Sequence, residues 1–258
     1  MRQELHAEWT KLRTVAGTRW LLAGCVVVTV ALSAAVSAAV TWSAGEPLKD
    51  ITKLSLSGIQ IGQTVVAILA VLAITDEYST GMIRTTLAAM PHRASVLCAK
   101  AFMVTAMALA AGFLAVPMSL LAGRFFLPGK GFTPSHGYLR VLPADGSTLR
   151  AAVGSVLYLA LVGLLSLGIA TLVRDAAESI GIVLALLYVF PVLTHVVSDP
   201  HWQRHLQQMA PMQAGLAIQN TVNLHGAPLS PWAGLGVLAV WAAGALLLGG
   251  LVLSVRDA

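Results

Sequence analysis

The chain has 258 residues, 57% of them hydrophobic and 10% charged, with a formal net charge of +5 and a mean hydropathy of +0.80. A water-soluble domain carries about a quarter charged residues, and so little polar surface could not cover one of this size. High hydrophobicity with low charge also excludes intrinsic disorder, and the basic residues sit in loops beside apolar stretches, where they suit anionic lipid headgroups rather than nucleic acid.

The 16 Lys and Arg and the 11 Asp and Glu leave six windows empty: 21–43, 54–75, 101–123, 151–173, 179–198 and 232–255. About 20 apolar residues in a helix cross roughly 30 Å of hydrocarbon, and one Arg at a helix centre costs about 2.5–3.5 kcal/mol. The fold class read from this is an all-α polytopic membrane protein, a single transmembrane domain over 1–258, with helices at about 21–43, 56–75, 97–122, 151–173, 179–198 and 232–254. Six crossings put both termini on one side. The segments on that side hold nine Lys and Arg against seven on the other, so the positive-inside rule places both termini in the cytoplasm. Arg124, Lys130, Arg140 and Arg150 on the opposite side run against this bias.

In chain order, residues 2–19 read as an amphipathic helix. Leu5, Trp9, Leu12 and Ala16 share one face, while Glu4, Glu8, Lys11 and Arg13 take the others. Such a helix lies in the membrane interface, with Trp9 at headgroup level and Lys11 and Arg13 snorkelling; a solvated helical tail is the alternative. The first apolar run is too long and begins too late for a cleavable leader, so it reads as a retained helix. Cys25 and Cys98 read as buried, inert thiols.

Near the start of the second helix, Gly58 and Gly62 stand four apart, a spacing that permits close helix approach. Gln60 and Gln63 beside them read as buried amides that need partners from another helix or from a polar cavity. Both pairs are candidates for a substrate path or for helix packing. Asp76 and Glu77 mark the water boundary, and Ser79 or Thr80 would cap a short helix over 79–90. Ile83, Leu87 and Met90 give that helix an apolar stripe, which Pro91 ends. It would lie across the cytoplasmic mouth and offer its face to a partner; a connector without a partner is the plainer reading.

Pro117 and Pro191 kink the third and fifth helices, and Pro191 is a further candidate on a path. Segment 124–150 reads as an irregular outer loop, and 174–178 as a tight hairpin between helices four and five. Segment 199–231 reads as two short amphipathic helices at the outer interface or dipping into it. No nucleotide-binding Walker pattern is present, so the chain is read as no ATPase or other enzyme, with no cofactor of its own. His201 and His205 lack a third metal ligand in the sequence pattern. Ser155, Ser166 and His195 could be enlisted for an intramembrane protease, but no nucleophile setting accompanies them. The six windows hold no Lys, Arg, Asp or Glu, which counts against ion-coupled transport.

Three segments carry a family resemblance: AEWTKLRT near the N-terminus, DEYSTGMIRTTLAAMPHRASVLCAK over 76–100, and SPWAGLGVLAVWAAGALLLGGLVLSVRDA at the C-terminal end. Together they resemble the permease subunits of type-2 ATP-binding-cassette exporters, of the compact kind typical of high-GC Gram-positive bacteria. The resemblance implies a bacterial plasma-membrane exporter of a hydrophobic or amphipathic substrate such as an antibiotic, a lipopeptide or a lipid. It implies two copies of a separate ATPase subunit, which hold the ATP and Mg, and a second permease copy, as a homodimer or alternatively a heterodimer. It further implies re-entrant helices between helices five and six, a path lined by helices two and five, and a coupling helix after helix two. Carried onto this chain, the docking residues are Glu77, Gly81, Met82, Ile83, Arg84, Leu87 and Met90. A sensor or scaffold subunit of an ATPase complex is the alternative.

Overall fold

A computed structural model describes residues 16–44, 48–82, 93–138, 145–196, 199–222, 224 and 228–255. The interfacial-helix candidates Leu5, Trp9, Lys11, Leu12 and Arg13, and the docking candidates Ile83, Arg84, Leu87 and Met90, lie outside the described residues.

The described elements are helical throughout. They are α1 (Ala16–Ala39), α2 (Ile51–Ser55), α3 (Ile59–Ser79), α4 (Arg93–Phe126), α5 (Gly146–Val173), α6 (Ala176–Leu184), α7 (Phe190–Val196), α8 (Pro200–Met209), α9 (Pro211–Leu216) and α10 (Pro231–Val255). A π-helical turn, Ala185–Val189, joins α6 to α7. Among the described residues, six helical stretches are long and apolar enough to span a bilayer: α1, α3, α4, α5, the α6–α7 unit and α10. The chain is an all-α polytopic membrane protein.

Helix α5 is the axis of the bundle. Of its most apolar window 67% is buried, against 22% for both α1 and α6–α7 and 28% for α10. Those outer helices and α4 turn Trp20, Val27, Phe113, Leu121, Leu247 and Leu251 outward, which suits lipid contact or burial against a partner. Glycines set the close crossings. A side chain at Gly168 would meet the backbone of Ala245 at 2.6 Å, so α5 and α10 run in parallel at contact distance. Opposite Gly58 and Gly62, α1 presents a stripe of Cys25, Thr29 and Ser33 at four-residue intervals. Added Cβ atoms on these glycines would fall 2.0 Å from Thr29 oxygens, and Gly58 N–H donates to Ser33 Oγ at 3.1 Å.

Alternation along the chain gives the bundle two ends. The base end holds the start of α1, Gly81, the Arg174–Asp175 turn and the end of α10; the crown end holds 40–58, 127–138 and 199–222. At the base, Asp175 caps α6 by accepting from Glu178 N–H at 2.9 Å, and Arg174 takes the left-handed backbone (φ 68°) that reverses the chain in two residues. This is the tight hairpin expected over 174–178.

Several expected boundaries move. Helix α1 ends at Ala39, short of 43, because the chain turns at Val40–Trp42 into a crown cluster of Leu127, Phe132 and Tyr138. In that cluster the Trp42 and His136 rings stack with centroids 3.8 Å apart, and Trp42 N–H donates to Lys130 O at 2.9 Å. Residues 127–138, expected as irregular loop, hold two 3-10 turns, Pro128–Lys130 and Pro134–His136. Helices α4 and α5 extend into the same segment as far as Phe126 and from Gly146. Helix α3 runs to Ser79 rather than 75, so Asp76 and Glu77 lie within it. Thr80 closes this helix instead of opening the next, and Ser79 belongs to it.

Candidate functional site

Helix α3 carries functional groups at both ends. Near the crown, Gln63 is fully buried and forms the hub of a polar network. Its Nε2 lies 2.9 Å from Gln60 O, 3.2 Å from Tyr188 Oη and 3.3 Å from Met212 Sδ, and its Oε1 accepts from the Tyr158 hydroxyl. Tyr188 sits on the π-turn and donates to Gln60 O, with Thr64 Oγ1 at 2.6 Å from its oxygen. The expected need of Gln63 for partners is met by three other elements: α5, the π-turn and α9. Without them a buried amide would cost about 1–3 kcal/mol.

The π-turn has a local cause. Pro191 has no N–H to give, and its ring crowds the carbonyl four residues back, so the helix widens just before it. The expected kink therefore takes the form of an inserted π-turn, which is what delivers Tyr188 to α3.

Above the hub lies a cavity of about 350 Å³, lined by Lys53, Gln60, Pro191, Gln207, Gln213 and Asn220 among others. Gln60, expected to be buried, is exposed on this cavity. Two of the four path candidates at the start of α3 therefore separate in role: Gln60 lines the cavity and Gln63 supports its floor. The other two, Gly58 and Gly62, pack on α1 and are helix-contact residues. Pro191 is buried and lines the cavity.

The cavity wall is held by groups whose structural role the sequence did not reveal. Asp50 caps α2 through Lys53 N–H at 3.1 Å. The same carboxylate accepts from Thr221 Oγ1 at 2.8 Å, Val222 N–H at 3.1 Å and Thr221 N–H. Arg150 Nη2 donates to Asn220 O at 2.6 Å. Helix α9 is buried against α5 and α10: Gly215 admits the Tyr158 ring and Gly154 admits Ile218. Residues 210–219 therefore pack into the bundle, while α8 stays amphipathic and largely exposed, its His201 and His205 rings edge to face at 4.6 Å.

At the base, Glu77 is 3% exposed and forms an ion pair with Lys100 Nζ at 2.9 Å. Lys100 also donates to Ala73 O at 2.8 Å. The expectation that Glu77 is a water-facing docking contact is corrected: it is buried between α3 and α4, because α3 continues past it. Lys100, inside the expected third helix, escaped notice as a charge. Glu77 and Lys100 are near enough to opposite ends of the 80–92 segment that they staple its two flanking helices together. Gly81 follows with φ +71°, a left-handed turn that ends α3, and Met82 beyond it is exposed. Beside the pair, the Arg174 guanidinium lies 5.4 Å from the Tyr78 ring centroid.

The serines considered for a protease are engaged elsewhere. Ser166 Oγ donates to Val162 O at 2.7 Å, and Ser155 accepts from Gln219 Nε2 at 3.1 Å. Cys25 is buried as expected, with Sγ 3.6 Å from Gly62 O, whereas Cys98 is exposed.

No family model matches the sequence and no curated protein matches it. The arrangement itself defines the class: a multi-pass membrane protein with a stapled base and a polar cavity at its crown.

Proposed function

We propose that this chain is the membrane-spanning subunit of a type-2 ATP-binding-cassette exporter. In this reading it lies in a bacterial plasma membrane with both termini cytoplasmic. It pairs with a second permease copy and carries a hydrophobic or amphipathic substrate outward. Two separate ATPase subunits hold ATP and Mg and dock on the segment after Gly81, where Met82, Ile83, Leu87 and Met90 supply apolar contact and Arg84 a polar one.

One observation carries the reading. A single helix, α3, runs from the 80–92 segment to the cavity wall. Seventeen residues separate Gln60 from Glu77, about 26 Å of helix. The Glu77–Lys100 pair ties α3 to α4 at its driven end, so a push on the segment between them moves two helices together. At the other end, Gln63 links α3 to α5, the π-turn and α9. Nucleotide-driven motion of the docked ATPases would then reach the cavity through packed and hydrogen-bonded contacts. Glu77 acts in this mechanism as a transmission residue.

The test is ATPase stimulation in liposomes containing the chain and the ATPase that accompanies it. The exporter reading predicts that a transported amphiphile raises nucleotide hydrolysis and accumulates on the side opposite the ATPase. Stimulation without accumulation would instead identify a sensor or scaffold subunit and overturn the transport reading.

A further inference from the structure

The crown cavity has a chemical bias that packing does not account for. At about 350 Å³ it has room for a headgroup rather than a single water. Among the described residues its polar lining is one cation, Lys53, and four side-chain amides, Gln60, Gln207, Gln213 and Asn220, with no carboxylate. The Lys53 ammonium is exposed, and its partner is the neutral Asn220 Oδ1 at 3.1 Å. Asp50, the carboxylate on the same turn, is engaged with backbone and hydroxyl donors of 221–222 and with Lys53 N–H. Arg150 adds a second positive charge behind Asn220. Gln213 lines the cavity too, and its own Oε1 is buried without a hydrogen bond, so the side chain is not locked by a partner there.

Depth matters as well. Gly58, two residues before Gln60, packs on Ser33, six residues short of the end of α1, about 9 Å below that end. The floor of the cavity is thus sunk beneath the crown ends of the spanning helices. The π-turn and α7 turn Val189, Val192 and Leu193 outward, apolar and exposed, where acyl chains would lie.

We propose that this cavity binds the anionic headgroup of an amphiphile. A phosphate or carboxylate pairs with Lys53, the Gln213 side chain contacts the headgroup, and the chains lie along Val189, Val192 and Leu193. Naming this molecule as cargo rests on the exporter reading; the binding site itself does not.

The experiment is native mass spectrometry of the full chain in neutral detergent, loaded with phosphatidylglycerol or phosphatidylcholine. The expected result is phosphatidylglycerol retained about tenfold over phosphatidylcholine, the ratio that about 1.4 kcal/mol produces. Lys53→Gln brings that ratio close to one, while the charge-matched control Lys130→Gln leaves it unchanged. Gln213→Leu weakens retention of phosphatidylglycerol. Should that variant fail to fold, Gln213→Glu serves instead, its added carboxylate turning the preference against phosphatidylglycerol. Equal retention of the two lipids, or Lys53→Gln behaving like Lys130→Gln, would overturn the proposal. Displacement of phosphatidylglycerol by inorganic phosphate would also overturn it, by showing that the site reads the free anion. Because no ATPase enters this readout, a missing ATPase would sink the exporter reading and leave the headgroup result standing. A working exporter with equal lipid retention would sink the headgroup site alone.

Discussion

Two side chains on α3, Gln63 and Glu77, are buried polar groups with opposite energetic characters. Gln63 is neutral and fully partnered, so Gln63→Leu removes one hub and leaves the buried Tyr158 hydroxyl without its acceptor. The expected cost is about 1–3 kcal/mol, read as a lower midpoint in thermal unfolding of the detergent-solubilised protein. Glu77 is charged, and removing one member of a buried ion pair strands the other, which costs about 3–5 kcal/mol. Glu77→Ala and Lys100→Ala should each lower the unfolding midpoint strongly. The double variant Glu77→Met with Lys100→Met should recover much of the loss, because it removes both desolvation penalties. A double variant no better than the singles would contradict the pairing. Gln63 was legible in the sequence as an amide among apolar residues. Its partners were not, because Tyr158, Tyr188 and Met212 lie far away along the chain. Glu77 was legible as an acidic residue at a helix end but assigned the wrong surroundings: hydropathy sees where charges begin, not whether an opposite charge on the next helix allows them to go under.

Among the elements, glycine positions separate sharply by what surrounds them. Gly58 and Gly62 face α1 at distances no side chain fits, whereas Gly236 and Gly244 on α10 have nothing within 4 Å of an added Cβ. Gly62→Leu should therefore push α1 from α3 and sharply reduce the folded yield in fluorescence-detected size exclusion. Gly236→Leu should leave the yield unchanged. The four-residue spacing of 58 and 62 was visible in the sequence; the Thr29 and Ser33 surface that receives it was readable only as small residues in an apolar helix. Pro191 shows the same division. Its presence announced an interruption, but not that the π-turn over Ala185–Val189 would bring Tyr188 to Gln60 and Thr64 on a distant helix. Helix ends were least legible where tertiary contacts decide them. Trp42 stacking on His136 ends α1 early, and the Glu77–Lys100 pair lets α3 run late. The burial of 210–219 was not legible in the amphipathic pattern of 199–231, because it depends on Gly215 meeting Tyr158 and Ile218 meeting Gly154 on α5.

For the molecule as a whole, six spanning stretches followed directly from the gaps between charges, since the penalty for a buried unpaired charge is large and non-specific. The proposed function rests on fewer features, the 76–100 segment and the cavity above Gln63. Orientation is testable at this scale: single cysteines placed at Ser135 and at Asp175, in a background lacking Cys25 and Cys98, should be labelled from opposite sides of intact cells by a membrane-impermeant maleimide. Ser135 should react from outside and Asp175 only after permeabilisation. The most direct measurement of the central claim is affinity purification of the chain from its native membrane, with Ile83→Asp combined with Leu87→Asp as the comparison. The account predicts that a nucleotide-hydrolysing subunit accompanies the wild-type chain and is lost from the double variant, while the variant still elutes as a folded membrane protein. An ATPase retained by the double variant, or none accompanying the wild type, would contradict it.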